Sequence, residues 1–283
     1  MAEEWTEAYT DFASVYDTFM DDTPYQEWAD FLAELISTYG ISKPYKNGEK
    51  VPGTESSEKE KLETEKDLVV DLGCGTGTLT ELLSQKGYDM IGVDMSAEML
   101  NVALAKKEKS GSPILYLCQD MRELDLYSTV GTVISVCDSV NYLLEDEEVL
   151  ETFGLVNNYL YPGGIFLFDF NTVYKYEQII GDTTIAENRE KCSFIWENYY
   201  HEDGHINEYD LTVFAREEKS RLFRRFTETH FQRGYTVEEM KGFLEQAGLE
   251  PIRFLDADTH KEPTACSERI YGIAREKQKG ERE

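Results

Sequence analysis

A chain of 283 residues that is 41% hydrophobic and 12% aromatic carries enough apolar material for one large core or two small ones. Its 56 acidic residues against 28 basic ones give a formal net charge of −28, which repels phosphate backbones and anionic bilayers and so disfavours nucleic acid and membranes as partners. No apolar run is long enough to span a bilayer, the acidic start MAEEWTEAYT is unlike a signal peptide, and the five cysteines are scattered, so a reducing, cytoplasmic setting with free thiols is expected.

In chain order, EAYTDFASVYDTFM predicts a short aromatic helix. After DDTP, the segment YQEWADFLAELISTYG sets Trp28, Phe31, Leu32, Leu35 and Ile36 on one helical stripe. Asp22 or Thr23 is its expected cap, with Pro24 in the first turn. Residues 43–65 are charged and rich in Gly, Pro and Ser, the composition of a surface loop. From Asp67 strands and helices alternate: LVVDL, then TGTLTELLSQKG; YDMIGVD, then SAEMLNVALAKKEKSG capped by Ser96; ILYLCQD; GTVISVCD, then DEEVLETFGLVNNYLYPGG; and IFLFDF. This alternation predicts right-handed β-α-β crossovers in a mostly parallel sheet with both faces covered. The rhythm then breaks. CSFIWENYYHEDGHINEYDLTVFARE predicts two strands around an Asp203-Gly204 turn, and RLFRRFTETHFQRGY a third, forming an antiparallel insertion. Thr236 and Glu239 make a capping box for the helix TVEEMKGFLEQAG. EPIRFLDAD and SERIYGIARE are the closing strands, and KQKGERE is expected to be a disordered tail.

The stretch VVDLGCGTGTLTELL holds most of the chemistry. Gly73, Gly75 and Gly77 are spaced G-x-G-x-G, and position 78 is threonine, so the dinucleotide fingerprint is not met. No Lys-Ser/Thr pair follows, so the phosphate-loop signature fails as well. Asp71 sits two residues before Gly73, where a carboxylate disfavours a pyrophosphate and favours an ammonium or sulfonium. Asp94 ends the second strand, 17 residues after Gly77, where an acid can accept both hydroxyls of a ribose. Asp120 ends the third strand and suits an adenine amino group, with Met95 or Met121 against the ring.

These residues resemble the motifs of the class I S-adenosylmethionine (SAM)-dependent methyltransferases. VVDLGCGTGTLT is similar to the family's first motif, IGVDMSAEML to the second and LYLCQDMREL to the adenine-binding third; ISVCDSVNYLL and GFLEQAGLEPI resemble later segments. The resemblance spans roughly residues 65 to 275. It implies an α/β fold: a Rossmann-like seven-stranded mostly parallel sheet flanked by helices, with an antiparallel β insertion and an N-terminal helical lid. It also implies SAM as cofactor. Asp71 and the backbone of Gly73, Cys74, Gly75 and Gly77 would lie at the methionine part and Asp94 at the ribose. Gln119, Asp120 and the Met121 amide would meet adenine, with Met95 packed on it. Cys137 and Asp138 would flank the methionine moiety, and Tyr9 and Tyr16 would touch the SAM carboxylate or close the site from the lid. The expected divisions are 1–42 (lid), 43–66 (loop), 67–180 (core), 181–235 (cap), 236–276 (core) and 277–283 (tail).

On the acceptor side the expected catalytic residues are Asp138, Asn141, Tyr142 and His230. Asp138 and Asn141 would orient a polar acceptor, and His230 is the better base among the histidines. Asp169 and Asn171 sit at another strand end; Tyr142, Trp196, Tyr199 and Tyr200 suit either an aromatic pocket or core packing. His201 and His205 flank a turn with no third ligand fixed nearby, so no metal is expected. The leading expectation is methyl transfer to a small molecule, an amine among the options, by a monomer or homodimer. An RNA or protein methyltransferase and a non-catalytic SAM-binding regulator are the alternatives.

Overall fold

The computed structural model describes residues 12–45, 64–217, 221–277 and 279. Seven strands form the main sheet: β1 (Leu68–Leu72), β2 (Asp89–Asp94), β3 (Leu115–Cys118), β4 (Val130–Ser135), β5 (Leu160–Asn171), β10 (Leu249–Asp256) and β11 (Arg269–Glu276), in the order β10-β11-β5-β4-β1-β2-β3. Strands β1 to β5 are parallel, and β11 runs antiparallel to both of its neighbours. Ligands of open parallel sheets sit beyond the carboxyl ends of the strands, where the order reverses. Here that reversal lies between β1 and β4, each followed by a turn that folds over the same space.

Helices cover both faces. On one, α2 (Tyr25–Tyr39) and α3 (Thr78–Gln85) bury Leu32, Ile36, Leu79 and Leu83 against Val69, Ile134 and Leu167. On the other, α5 (Asp146–Tyr159) and α6 (Val237–Gln246) bury Phe153, Val156, Met240 and Phe243 against Val70, Phe166 and Phe168. Between β2 and β3 runs α4 (Ala97–Ser110), where the Ser96 hydroxyl accepts the Met99 N–H at 3.1 Å as its cap. The Thr236–Glu239 box also forms. Helix α2 starts differently from expectation. Pro24 takes the N-cap position, the Thr23 hydroxyl turns to the Met20 sulfur and Asp22 pairs with Arg189, so neither Asp22 nor Thr23 caps it.

The insertion is a separate antiparallel sheet of four strands, one more than its sequence pattern suggests: β6 (Thr184–Asn188), β7 (Cys192–His201), β8 (Ile206–Arg216) and β9 (Phe223–Arg233). Strand β6 is an edge whose Ile185 and Ala186 stay exposed, so it carries no alternating apolar signal. Cross-strand register puts Trp196, Leu211 and Glu228 in one row of the inner face and Asn198, Tyr209 and His230 in the next. The helix α1 (Ala13–Phe19) lies on that face, where Phe12, Val15 and Phe19 pack with Leu211, Val213 and Phe194. Within the tail, Lys279 is ordered: its ammonium donates to the carbonyls of Asn158 and Leu160 at the end of α5, both at 2.7 Å, as cations do at helix C-termini. The expected loop at 43–66 lies mostly outside the described residues.

Candidate functional site

The turn after β1 uses its glycines for different reasons. Gly73, Gly75 and Gly77 all have positive φ (80°, 54° and 72°), a region open to glycine at little cost. A Cβ on Gly73 would sit 2.5 Å from the Ser139 hydroxyl, and one on Gly77 would strike the Tyr116 hydroxyl. A Cβ on Gly75 would meet nothing, because that residue faces open space. Four N–H groups of the turn are spent internally. Those of Gly73 and Cys74 donate to the Val93 carbonyl (2.8 and 2.9 Å), that of Gly75 to Asp94 Oδ2 (2.7 Å) and that of Gly77 to the Cys74 carbonyl (3.0 Å). A phosphate cradle needs such donors free; this turn does not offer them.

Beside the turn opens a cavity with an empty volume of about 1000 Å³, counting the part open to solvent. Its wall includes Tyr16, Asp71, Gly73, Cys74, Gly75, Asp94, Met95, Gln119, Met121, Cys137 and Tyr142, all expected at the site. Met95 lies at the rim, 61% exposed. Gly77 and Asp120 are not on the wall, and Tyr9 lies outside the described residues. Gly77 is turned toward α4 and β3 by its packing. Asp120 is engaged elsewhere: its carboxylate accepts the Arg122 backbone N–H (2.8 Å) and pairs with the Arg122 guanidinium (2.6 Å). Burial would raise its pKa, but the Arg122 hydrogen bonds outweigh this and hold it low. The turn after β3 therefore presents its neighbours Gln119 and Met121, while Asp120 caps the turn from outside.

Two carboxylates face the cavity from adjacent strand ends. Asp71 is 2% exposed and accepts a 2.6 Å hydrogen bond from the Thr80 hydroxyl. Burial pushes its carboxyl up to about 7, against the Thr80 bond and with a further push from Asp94. Asp94 is raised too, again by burial, although the N–H groups of Gly75 (2.7 Å) and Ser96 (2.8 Å) oppose the shift. Both acids are therefore primed for a positively charged partner. Aromatic residues complete the wall: Tyr16 from α1, and Tyr25 and Trp28 from α2. The sequence places Trp28 on the apolar stripe and gives Tyr25 no role beyond opening the helical segment; their one available signal is an aromatic cluster next to a helix start. Thr76, Thr78 and Ser139 were also missed, since small hydroxyl residues in turns carry little positional information.

On the far side the loop after β4 places Cys137 and Asp138 consecutively at positive φ (67° and 57°), a conformation that costs non-glycine residues energy. The fully buried Asp169 on β5 compensates by accepting both N–H groups, at 3.0 and 2.9 Å, while Arg269 Nε lies 3.2 Å from its carboxylate. Asp169 thus positions the loop instead of meeting a ligand. Burial pushes the Cys137 thiol up to about 12, so it stays protonated as it lines the cavity, 3.9 Å from the Tyr16 hydroxyl. Asp138 accepts from Gln232 Nε2 (2.8 Å) and Asn171 Nδ2 (3.3 Å).

The remaining acceptor-side expectations divide. Asn141 is fully buried and ties strand ends together: its amide donates to the Asn171 and Arg233 carbonyls and accepts the Asn171 N–H. It has no reach into the cavity. Tyr142 does line it, and its hydroxyl meets the Tyr209 hydroxyl (2.8 Å) and His230 Nδ1 (3.1 Å). His230 is 2% exposed and one side chain removed from the cavity. Trp196 packs on Tyr209 and Tyr200 bonds to His205, so neither forms the wall. Tyr199 faces out, 44% exposed. No group of three or more metal-ligating side chains occurs among the described residues.

Comparison with known proteins gives the family and the fold. Residues 69–164 match the family model described as a methyltransferase domain. A Geobacillus sp. protein named "Putative methyltransferase" is 33% identical over 267 residues, covering 94% of this chain and 99% of its own. A solved SAM-dependent methyltransferase from Clostridium acetobutylicum superposes with a TM-score of 0.76 at 27% identity, over 96% of this chain and all of that one. The sugar N-methyltransferase KedS8 from Streptoalloteichus sp. shares the fold, with a TM-score of 0.66 at 18% identity over 96% of this chain and 98% of its own. The chain belongs to the class I SAM-dependent methyltransferases, and SAM is its cofactor.

Proposed function

We propose that the enzyme transfers the methyl group of SAM to a small-molecule amine, and that the cavity between β1, β2, β4 and α2 holds the cofactor. The observation that carries this reading is the pairing of spent turn N–H groups with two raised carboxylates, the buried Asp71 and the half-buried Asp94. Such a wall accepts hydrogen bonds and positive charge. Asp94 would take the ribose hydroxyls and Asp71 the charged methionine end; Met121 and Gln119 would flank adenine, with Tyr16, Tyr25 and Trp28 covering the chain between them. SAM supplies an activated methyl on a sulfonium, and the protein's share is to hold the acceptor in line with it.

An amine acceptor fits the same electrostatics. On this side Ser139 and Tyr142 line the cavity, and Asp138 stands between two lining residues, Cys137 and Ser139. The shared fold with a sugar N-methyltransferase supports the choice at the level of architecture. The test is a screen with methyl-labelled SAM over amines, amino sugars, carboxylic acids and tRNA. Labelled amine is the expected result. Calorimetry with S-adenosylhomocysteine (SAH) and NAD accompanies it, with binding of SAH alone expected. Label found only in acids or tRNA would replace the amine reading, and failure to bind SAH would remove the cavity assignment.

A further inference from the structure

From Tyr142 on the cavity wall, a line of side chains runs back through two buried ones, His230 and Glu228. Tyr142 stands on the wall beside Gly73 and Cys137. Its hydroxyl lies 3.1 Å from His230 Nδ1, and His230 Nε2 lies 3.3 Å from Glu228 Oε2. The side chains of His230 and Glu228 are 1% and 7% exposed, so the line reaches water through the cavity side at Tyr142. The arrangement follows from the register of the inserted sheet. Glu228 and His230 are two apart on β9 and so face the same way, and Tyr209, directly opposite His230 on β8, stacks on its ring at 4.8 Å. The Tyr209 hydroxyl also meets that of Tyr142. From α1, the Phe12 N–H donates to Glu228 Oε1 at 3.0 Å. Two residues further along β9, Gln232 donates to the Asp138 carboxylate at 2.8 Å.

We infer that Tyr142, His230 and Glu228 form a proton relay that deprotonates an ammonium acceptor before methyl transfer; the inference rests on the amine reading above. A simple alkylamine, like the lysine side chain, has a pKa of about 10 and is mostly ammonium at neutral pH. It then has no lone pair to attack carbon. Tyr142 Oη takes one proton from the ammonium as its own passes to His230 Nδ1. The nitrogen lone pair then forms the N–CH3 bond, the S–CH3 bond breaks with its electron pair left on sulfur, and the product leaves as an N-methylammonium. The imidazolium is stabilised by the Glu228 carboxylate and returns its proton to water after the product departs. Tyr142 is the catalytic residue of this set, since it faces the acceptor. His230, Glu228 and Tyr209 are positioning residues that act through it.

The relay requires His230 to be neutral with its proton on Nε2, facing Glu228, and a lone pair on Nδ1. The chain has only 4 histidines, so nitrogen-15 labelling of histidine, with His230→Gln for assignment, isolates this ring by long-range proton–nitrogen correlation in the SAH-saturated enzyme. The Nε2-protonated form is expected, with the Nδ1 resonance shifted in Tyr142→Phe and the other three rings unmoved. A proton found on Nδ1 overturns the relay, because that nitrogen then has nothing to accept with. For the amine labelled fastest in the screen, Tyr142→Phe is expected to lower kcat by about 100-fold and Glu228→Gln by about 10-fold, with KM for SAM changed by less than about twofold. Unchanged kcat in both overturns it as well. SAH calorimetry on the same variants separates the two claims: wild-type enzyme that fails to bind SAH refutes the cofactor cavity, whereas the histidine proton refutes the relay alone.

Discussion

Asp71 carries the sharpest consequence at the scale of single residues. Its carboxyl is raised to about 7 in the folded protein, chiefly by burial, from the ordinary aspartate value of about 4. Between those two values the folded state binds more protons than the unfolded one, so stability falls as pH rises through this window. Free enzyme is therefore expected to lose Tm between about pH 4 and pH 7, and Asp71→Asn, which can still accept from Thr80, should remove part of that slope. Binding has the opposite dependence. A cationic ligand favours the ionised form, so SAM affinity should rise from pH 6 to pH 8 and release a proton on the way. Calorimetry in two buffers of different ionisation enthalpy measures that proton directly. An affinity that is flat with pH and matched by Asp71→Asn would place Asp71 outside the site.

The paired acids Asp94 and Asp120 make a second residue-scale contrast. Both end strands and both precede a turn, and from the sequence they are equivalent candidates. The structure separates them by partner: Asp94 bonds to turn N–H groups on the cavity wall, while Asp120 is neutralised by Arg122 away from it. Asp94→Ala should weaken SAH binding by roughly tenfold or more, about 1.4 kcal/mol, the order expected for a charged hydrogen-bond partner. Asp120→Ala should cost less than about threefold, because its bonds are made within its own turn. Equal losses in a side-by-side titration would return Asp120 to the cofactor.

At the scale of elements, α1 joins parts that are far apart in the chain. Asp17 accepts from the Thr76 hydroxyl at 2.6 Å and pairs with Lys106 at 2.7 Å, fastening the helix to the glycine turn and to α4. At its other end Asp21 pairs with Arg189 beside β6, and Phe19 meets Phe194 edge-on at 4.9 Å. Tyr16, one turn along, faces the cavity. Tyr16 puts α1 on the cavity wall, so we expect α1 to gate cofactor release and Asp17 to set its rate. The Asp17 carboxylate is 39% exposed and its ion pair is screened by water; such pairs contribute about 0–1 kcal/mol. Adding the Thr76 bond, Asp17→Ala is expected to speed SAH dissociation about fivefold in stopped-flow while the thermal transition stays put. An unchanged dissociation rate would show that α1 does not gate the cavity. The latch was not legible beforehand, because Asp17, Thr76 and Lys106 are brought together only by tertiary packing.

For the whole molecule, legibility followed the physical strength of each signal. The parallel sheet was readable because buried strands such as LVVDL and IFLFDF are apolar runs bounded by turns. The edge strand β6 was not, since its side chains stay exposed and only its backbone pairs with β7. The cofactor end of the site is local: one turn and the ends of the two strands that follow it. The acceptor end is assembled from β4, β9 and α1, and the distances that give Tyr142, His230 and Glu228 a shared task depend on the register of a hairpin sheet. Net charge, by contrast, is readable from composition alone and has a direct consequence for partners. A charge of −28 raises the cost of bringing a phosphate backbone near any face. The strand segment with Arg224 and Arg225 is the best local exception, and it is exposed, but two arginines release few counterions. Fluorescently labelled tRNA titrated with enzyme at about 0.1 M salt should show no binding at micromolar concentrations, where a basic groove would give a steep salt-dependent signal. The same self-repulsion predicts that Tm rises between about 0.01 and 0.5 M NaCl as the charges are screened. Submicromolar tRNA binding that weakens with salt would overturn the small-molecule reading and would locate the acceptor surface on β9.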